Sequence, residues 1–331
     1  MLNNILIAMA GQDENFISQT VESCLDNAIF PDNINFSIVD QRSDGNFAKL
    51  PENKNIIVNQ ILTMPRGVGY GRSLSIPKKI KEKYVLSIDP HMVFSPGWDK
   101  ELLDRYIEVK NKFNQDVVVS QHLPWSTIVD NKLVIHEDVV PGEAYSLFFN
   151  GIFVDAKPIP KNLDYVEQEA LCGYYLFSGR SVFEEVRFDP RLFYFSEESV
   201  LSLRLISRGH KLVSLNYNPM FHLEKVLTKS DSDWRNRIKI ESVKRDIKIF
   251  YETFSGEYFG EWGAKDLDSL ENFKNKNGIS MDLLLSKINY SEEFGDKKEF
   301  LLGTIDGIFN NTDVWTAIYD IVLNTIKNNE R

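Results

Sequence analysis

The sequence predicts an α/β fold built on a largely parallel sheet, and three observations carry that prediction. Asn4 to Ala10 is an apolar run, Phe16, Ile17, Thr20, Val21, Cys24, Leu25 and Ala28 recur at helical spacing, and Ile34 to Val39 is a second apolar run. Strand, helix and strand in that order are the usual opening of a parallel sheet. Tyr84 to Ile88 then supplies another buried strand, cut off by Asp89-Pro90.

The remaining elements follow in order. Pro31 is expected to stop the first helix, and the second strand runs out at Asp40-Gln41. Asn55 to Asn59 is a short strand, Gly67 to Arg72 a glycine-rich turn, and Ser73 to Lys83 holds a helix despite Pro77. Trp98 to Phe113 reads as a helix with Leu102, Leu103, Tyr106 and Ile107 on its apolar side, and Val117 to Ser120 as a strand. From Leu123 to Asn162 the pattern breaks into short strands and loops, the kind of segment that often carries specificity. Gly173 to Ser178 is a strand, Ser181 to Val186 a short helix, and Ser196-Glu197-Glu198 opens a helix that runs to Ser207 and is closed by Gly209. Leu212 to Leu215 is a strand leading to His222. Beyond Thr228 the chain turns polar and helical, with Trp234 to Phe250 amphipathic, so the expected division is 1–227 and 228–331.

Composition narrows the function. The 331 residues are 43% hydrophobic and 26% charged, ordinary for a folded protein with a sizeable core. A net charge of −10 argues against broad binding to nucleic acid or anionic membrane. Two cysteines in unrelated contexts, Cys24 and Cys172, form no zinc or disulfide pattern and suit a reducing compartment. Met1 to Ala8 has no basic leader, and no apolar run approaches the roughly 18 residues that span a bilayer. A cytoplasmic protein with no membrane partner is expected, host cytoplasm if the source is viral.

Three clusters of residues have chemistry. Asp89 and His91, two apart after a buried strand, point to one side in extended backbone, at the strand end where α/β sheets bind ligands. A carboxylate and an imidazole there suit a divalent metal, with imidazole favouring Mn2+ over Mg2+. Read alone, the same pattern also suits a strand-ending turn with His91 packed on Trp98. The Gly67-Val68-Gly69-Tyr70-Gly71-Arg72 turn could bring backbone amides and an arginine to a phosphate, or be a plain connection; it matches neither a P-loop nor a dinucleotide fingerprint. Glu197 and Glu198 complement a helix N-terminus or face a pocket walled by Phe193, Tyr194 and Phe195. His222, taken singly, suits a packed histidine. No nucleophile elbow is present.

In this order the segments Ile5 to Ala10, Gly69-Tyr70-Gly71-Arg72, Leu86 to Phe94 with Gly97-Trp98-Asp99, Phe188-Asp189-Pro190, Phe195-Ser196-Glu197-Glu198 with Arg204 and Gly209, and Phe221-His222 resemble glycosyltransferase family sixty. A weaker echo spans Gly263 to Gly278, so the resemblance covers roughly residues 4 to 280. Members of that family transfer N-acetylglucosamine to hydroxyproline of a cytosolic protein. The resemblance implies a GT-A type nucleotide-binding mixed sheet flanked by helices, here with a mainly helical C-terminal extension. It also implies a UDP-sugar donor, Mn2+ or Mg2+, and retention of anomeric configuration. It assigns Asp89, His91 and His222 to the metal, and Ala8, Ala10, Asp13, Asp40, Arg72 and Asp89 to the nucleotide side. Glu197 and Glu198 fall on the acceptor side as the catalytic pair. Pro90 stands where the family usually has serine, Ser196 where it has glycine, and Gly11-Gln12 where it has tyrosine-arginine.

Two alternatives stay open. Arg235, Arg237, Lys239, Lys244, Arg245 and Lys248 form a basic stretch that would suit a phosphate backbone, making 5-hydroxymethylated cytosine in phage DNA an alternative acceptor to a hydroxylated protein. A solvated helix face accounts for it equally. A catalytically silent sugar-nucleotide or glycan-binding module is the other alternative.

Overall fold

The computed structural model describes residues 4–51, 55–64, 66–129, 132–135, 144–150, 153–194, 196–223, 245–246, 249–250 and 252–279. The first half runs β1 (Ile5–Gln12), α1 (Ile17–Asp26), β2 (Ile34–Arg42), β3 (Ile56–Leu62), α2 (Val68–Ser75), β4 (Tyr84–Ile88), β5 (Met92–Phe94), α3 (Trp98–Phe113) and β6 (Val117–Val119). It continues through β7 (Trp125–Val129), β8 (Lys132–Ile135), β9 (Tyr145–Asn150), β10 (Phe153–Pro158), β11 (Tyr165–Gln168) and β12 (Tyr175–Gly179). The last described elements are α4 (Arg180–Glu185), α5 (Glu197–Ser207), β13 (Lys211–Leu215), β14 (Met220–Leu223) and α6 (Leu267–Asn277).

Eight strands form one mixed sheet in the order β11-β13-β6-β12-β4-β1-β2-β3. β3, β2, β1 and β4 are mutually parallel, β12 runs against both β4 and β6, and β11 runs against β13. The central strands are apolar on both faces because helices cover both. Alternate residues of β1 divide between two cores: Ile5, Ile7 and Met9 pack with α1 and α3, while Leu6 and Ala8 pack with Ile76, Leu176 and Leu201. A smaller sheet, β5-β14-β7-β8, sits at the end of β4, and β9 and β10 make a hairpin.

The first helix ends at Asp26, before Pro31, which begins a short 3-10 turn. A larger difference concerns the glycine-rich stretch, which is the helix α2 rather than a turn before one. Glycine disfavours helix by about 1 kcal/mol per residue, so packing must outweigh propensity here. A Cβ at Gly69 would lie 2.3 Å from the Asp189 carbonyl oxygen, and one at Gly71 would lie 3.0 Å from the Ala10 Cβ. Gly67, at φ +97, sits under Phe193, whose carbonyl accepts from Val68 N at 2.7 Å. The glycines seat the helix against the chain on either side of it.

Residues of the C-terminal part join the same body. Ile249, Phe250, Phe254, Leu270 and Phe273 share a core with Leu147, Phe149, Val200 and Leu203. Arg204 of α5, fully buried, donates to the carbonyls of Arg187 and Glu261 and lies 5.0 Å from the Trp262 ring centroid. Asp246 accepts from Phe193 N and Tyr194 N at 2.8 Å each. The expected boundary at Leu227 and most of the expected helix from Trp234 to Phe250 lie outside the described residues. Among the described residues no helix is long and apolar enough to cross a membrane.

Candidate active site

Asp89-Pro90-His91 is the bend where the chain leaves the large sheet at the end of β4 and enters the small one at β5. α1 holds this bend: Thr20 Oγ1 donates to the Pro90 carbonyl at 2.9 Å and accepts from Met92 N at 3.0 Å. Trp98 does not receive His91. Its ring packs at a tilt against Phe94, with centroids 4.7 Å apart, and donates to the Cys24 carbonyl, while Asp99 accepts from the Ile29 and Phe30 amides. His91 turns instead toward His222.

The small sheet explains that meeting. His222 pairs with Met92 across β5–β14 and with Trp125 across β7–β14, and Leu223 N donates to the His91 carbonyl. The two Nε2 atoms stand 3.1 Å apart, and each is 3.8 Å from Asp89 Oδ2. All three ligand atoms lie within 4.8 Å of one another. An ion with bonds of about 2.1 Å sets adjacent ligand atoms about 3 Å apart, so one carboxylate oxygen and two imidazole nitrogens at these separations fit a divalent cation. Trp125 and Tyr174, with ring centroids 4.4 and 4.9 Å from that of His222, pack around it.

The other Asp89 oxygen is committed. Oδ1 accepts from Arg72 Nη2 at 2.8 Å, and Arg72 Nη1 donates to Glu197 Oε2 at 3.0 Å. Burial works against the charge on Asp89, but Arg72 and the two histidines outweigh it and hold the carboxyl well below the usual range. Arg72 loses from burial and gains more from Glu197 and Asp89, so it stays charged. The fork expected to reach a phosphate thus meets two carboxylates and links the Asp89–His91–His222 cluster to α5.

Glu197 is buried, with Oε1 lacking a hydrogen-bond partner among the described residues. Glu198, half-buried, accepts from Gly173 N at 2.6 Å. Burial, and then the neighbouring Glu197 charge, push its carboxyl up to about 7. Raised above its unfolded value, this group favours the fold when protonated, and that contribution is lost as pH rises from the ordinary glutamate range through 7. Glu198→Gln is therefore expected to be more stable than wild type at pH 8, by about 1–2 kcal/mol after allowing for partial exposure, with the gap closing toward pH 4. Denaturant unfolding at both pH values checks the sign; a variant less stable at pH 8 than wild type contradicts it.

Other expected positions have framework contacts. Ala8 and Asp40 have no exposed surface: Ala8 lies in the sheet core, and Asp40 accepts from Arg42 Nε and Ala48 N at 2.7 Å each. Both were expected on the nucleotide side, and both side chains are held inside the framework. Asp13, at φ +49, accepts from Ser43 N at 2.7 Å and ties the ends of β1 and β2. Ala10 is half-buried beside Gly71. The structure also brings in residues that no motif marked: Glu14 against His91, and Gly173 under the Arg72–Glu197 pair.

The family model described as Glycosyltransferase (GlcNAc) matches residues 53–245, more than half of the chain. The chain belongs to this glycosyltransferase family. The match includes α2, the Asp89–His91 bend, Gly173, the Glu197–Glu198 pair and His222, and begins after β1 and β2. No curated protein matches the chain by sequence. Among solved structures, one of GalNAc-T7 with UDP, GalNAc and Mn2+ superposes with a TM-score of 0.51 at 15% identity. The superposition covers 87% of this chain and 57% of that one, so the chain spans little more than half of its length. That likeness shows a shared fold, and the mixed sheet flanked by helices is the GT-A arrangement expected.

Proposed function

We propose that this glycosyltransferase moves a sugar from a UDP-sugar to an acceptor hydroxyl, with Mn2+ or Mg2+ held by Asp89, His91 and His222. The convergence of Asp89 Oδ2 and the two Nε2 atoms at the end of β4 carries this reading. The family description makes UDP-N-acetylglucosamine the first donor to test. GalNAc-T7, crystallised with UDP and Mn2+, has the same fold.

Asp89, His91 and His222 would hold a divalent ion whose positive charge would offset that of the departing diphosphate. The chain's own residues do the rest. Arg72 fixes Asp89 so that Oδ2 alone faces the histidines. Retention follows if the acceptor oxygen bonds to the anomeric carbon on the face UDP vacates, as the bond from that carbon to the phosphate oxygen breaks. The acceptor proton then passes to that phosphate oxygen. Glu198 would accept a hydrogen bond from the acceptor hydroxyl and orient it, with Glu197 braced behind it by Arg72. Following the resemblance, we take the acceptor to be a hydroxylated protein, hydroxyproline first, in the cytoplasm. Most of the basic stretch that suggested hydroxymethylated DNA lies outside the described residues, and Arg245 is 4.0 Å from the Asp246 carboxylate.

A panel of UDP-sugars incubated with purified protein tests the donor half. Mn2+-dependent release of UDP from one donor, abolished by chelation, is expected. No release from any donor, with UDP still bound, would overturn the transfer reading and leave the silent sugar-nucleotide module; no release and no binding of UDP in the presence of Mn2+ would overturn the donor reading as well.

A further inference from the structure

We propose that Glu14 is a positioning residue for the metal triad: its carboxylate sets the tautomer of His91 and so aims the Nε2 lone pair at the point shared with His222 and Asp89. The inference rests on the metal reading of Asp89, His91 and His222, and it concerns a residue outside that set.

Glu14 Oε2 lies 3.0 Å from His91 Nδ1, and both residues are buried, at 3% and 8% exposure. An ionised carboxylate only accepts hydrogen bonds, and a neutral imidazole carries one proton on one of its two nitrogens. With Nδ1 donating to Glu14, Nε2 is left as the lone pair, the form that binds a metal. Without the carboxylate, either nitrogen can carry the proton, and the ring loses the contact that fixes its rotation.

Glu14 is itself held by neighbours that leave it little freedom. Its second oxygen, Oε1, accepts from Phe16 N at 3.0 Å, at the start of α1. Its carbonyl accepts from Arg42 Nη2, and Arg42 Nε donates to the buried Asp40 at 2.7 Å. Gly11 makes room, since a Cβ there would lie 2.9 Å from the Glu14 Cβ. A chain of contacts therefore runs from Asp40 through Arg42 and Glu14 to His91. Asp40, itself buried, thereby holds Arg42 against the main chain of Glu14. Carboxylates behind metal-bound histidines are typically worth 10–100-fold in metal affinity.

The test uses the full chain and two readouts, one of them without metal. In metal-free protein labelled with 15N histidine, His91, assigned by comparison with His91→Asn, is expected as the Nδ1–H tautomer. In Glu14→Ala its nitrogens should move toward a mixture of tautomers, and Mn2+ affinity, followed by EPR of the free ion, should fall about 10–100-fold. Glu14→Gln, whose carbonyl can still accept from Nδ1, should lose less than Glu14→Ala. A wild-type His91 in the Nε2–H form overturns the proposal whatever the variants do. So does a Glu14→Ala protein with an unchanged tautomer and Mn2+ affinity within threefold of wild type. Wild-type protein that binds no Mn2+ defeats the metal reading separately, while the tautomer measurement still decides the role of Glu14.

Discussion

Asp89→Ala is expected to lower sugar transfer by about 10^3-fold, the equivalent of several kcal/mol of charge stabilisation at the leaving group. The size of the effect follows from the two jobs that the carboxylate divides between its oxygens. Oδ2 stands 3.8 Å from each imidazole Nε2, and Oδ1 anchors Arg72. Alanine removes a proposed metal ligand and leaves Arg72, 7% exposed, with Glu197 as its remaining carboxylate in this pair of contacts. Asp89→Asn separates the roles: an amide oxygen can still face Arg72, but its neutral group weakens the hold on a cation. Raising Mn2+ should therefore recover part of the activity of Asp89→Asn and little of that of Asp89→Ala. Initial rates across a Mn2+ titration read this directly. Activity of Asp89→Ala within tenfold of wild type would remove Asp89 from the proposed site.

Gly173→Ala is expected to cost about 3 kcal/mol of stability and most of the activity, although it adds one methyl group. The new Cβ would lie 2.2 Å from Arg72 Nη1 and 2.7 Å from Glu197 Oε2. Arginine tips usually swing aside at little cost, but this one is gripped at both nitrogens, by the half-buried Asp89 and the buried Glu197. Moving it breaks the pair with Glu197, whose Oε1 already lacks a partner among the described residues. Breaking one side of a buried ion pair costs about 3–5 kcal/mol because the charge left behind is uncompensated. Denaturant unfolding and transfer rate should therefore fall together. A variant within 0.5 kcal/mol of wild type and fully active would show that the Arg72 bridge is not needed.

The framework was largely legible in the sequence because burial leaves a local trace. Continuous apolar runs placed β1, β2 and β4, helical periodicity placed α3 at Trp98–Phe113, and the acidic opening and closing glycine placed α5 at Glu197–Ser207. α2 was not legible, because Gly67, Gly69 and Gly71 count against a helix locally. What selects them is contact with Asp189, Phe193 and Ala10, which are distant or unmarked in sequence. Two of the three residues of the proposed metal site, Asp89 and His91, stood out by their spacing. His222, 131 residues from His91, needed the resemblance, since only the pairing of β14 with β5 and β7 brings it there. Glu14 had no local signal at all: nothing in Gly11-Gln12-Asp13-Glu14 announces a partner 77 residues away. Ala8 and Asp40 sit where β1 and β2 look available to a ligand, but the close packing of both sheet faces buries them.

Everything proposed above depends on Asp89, His91 and His222 holding one divalent cation at the end of β4. Crystals grown with Mn2+ and UDP, measured at the manganese absorption edge, test it most directly. One anomalous peak is expected within bonding distance of Asp89 Oδ2, His91 Nε2 and His222 Nε2, with Arg72 still on Asp89 Oδ1. A peak elsewhere, or UDP bound with no peak between these three atoms, would contradict it.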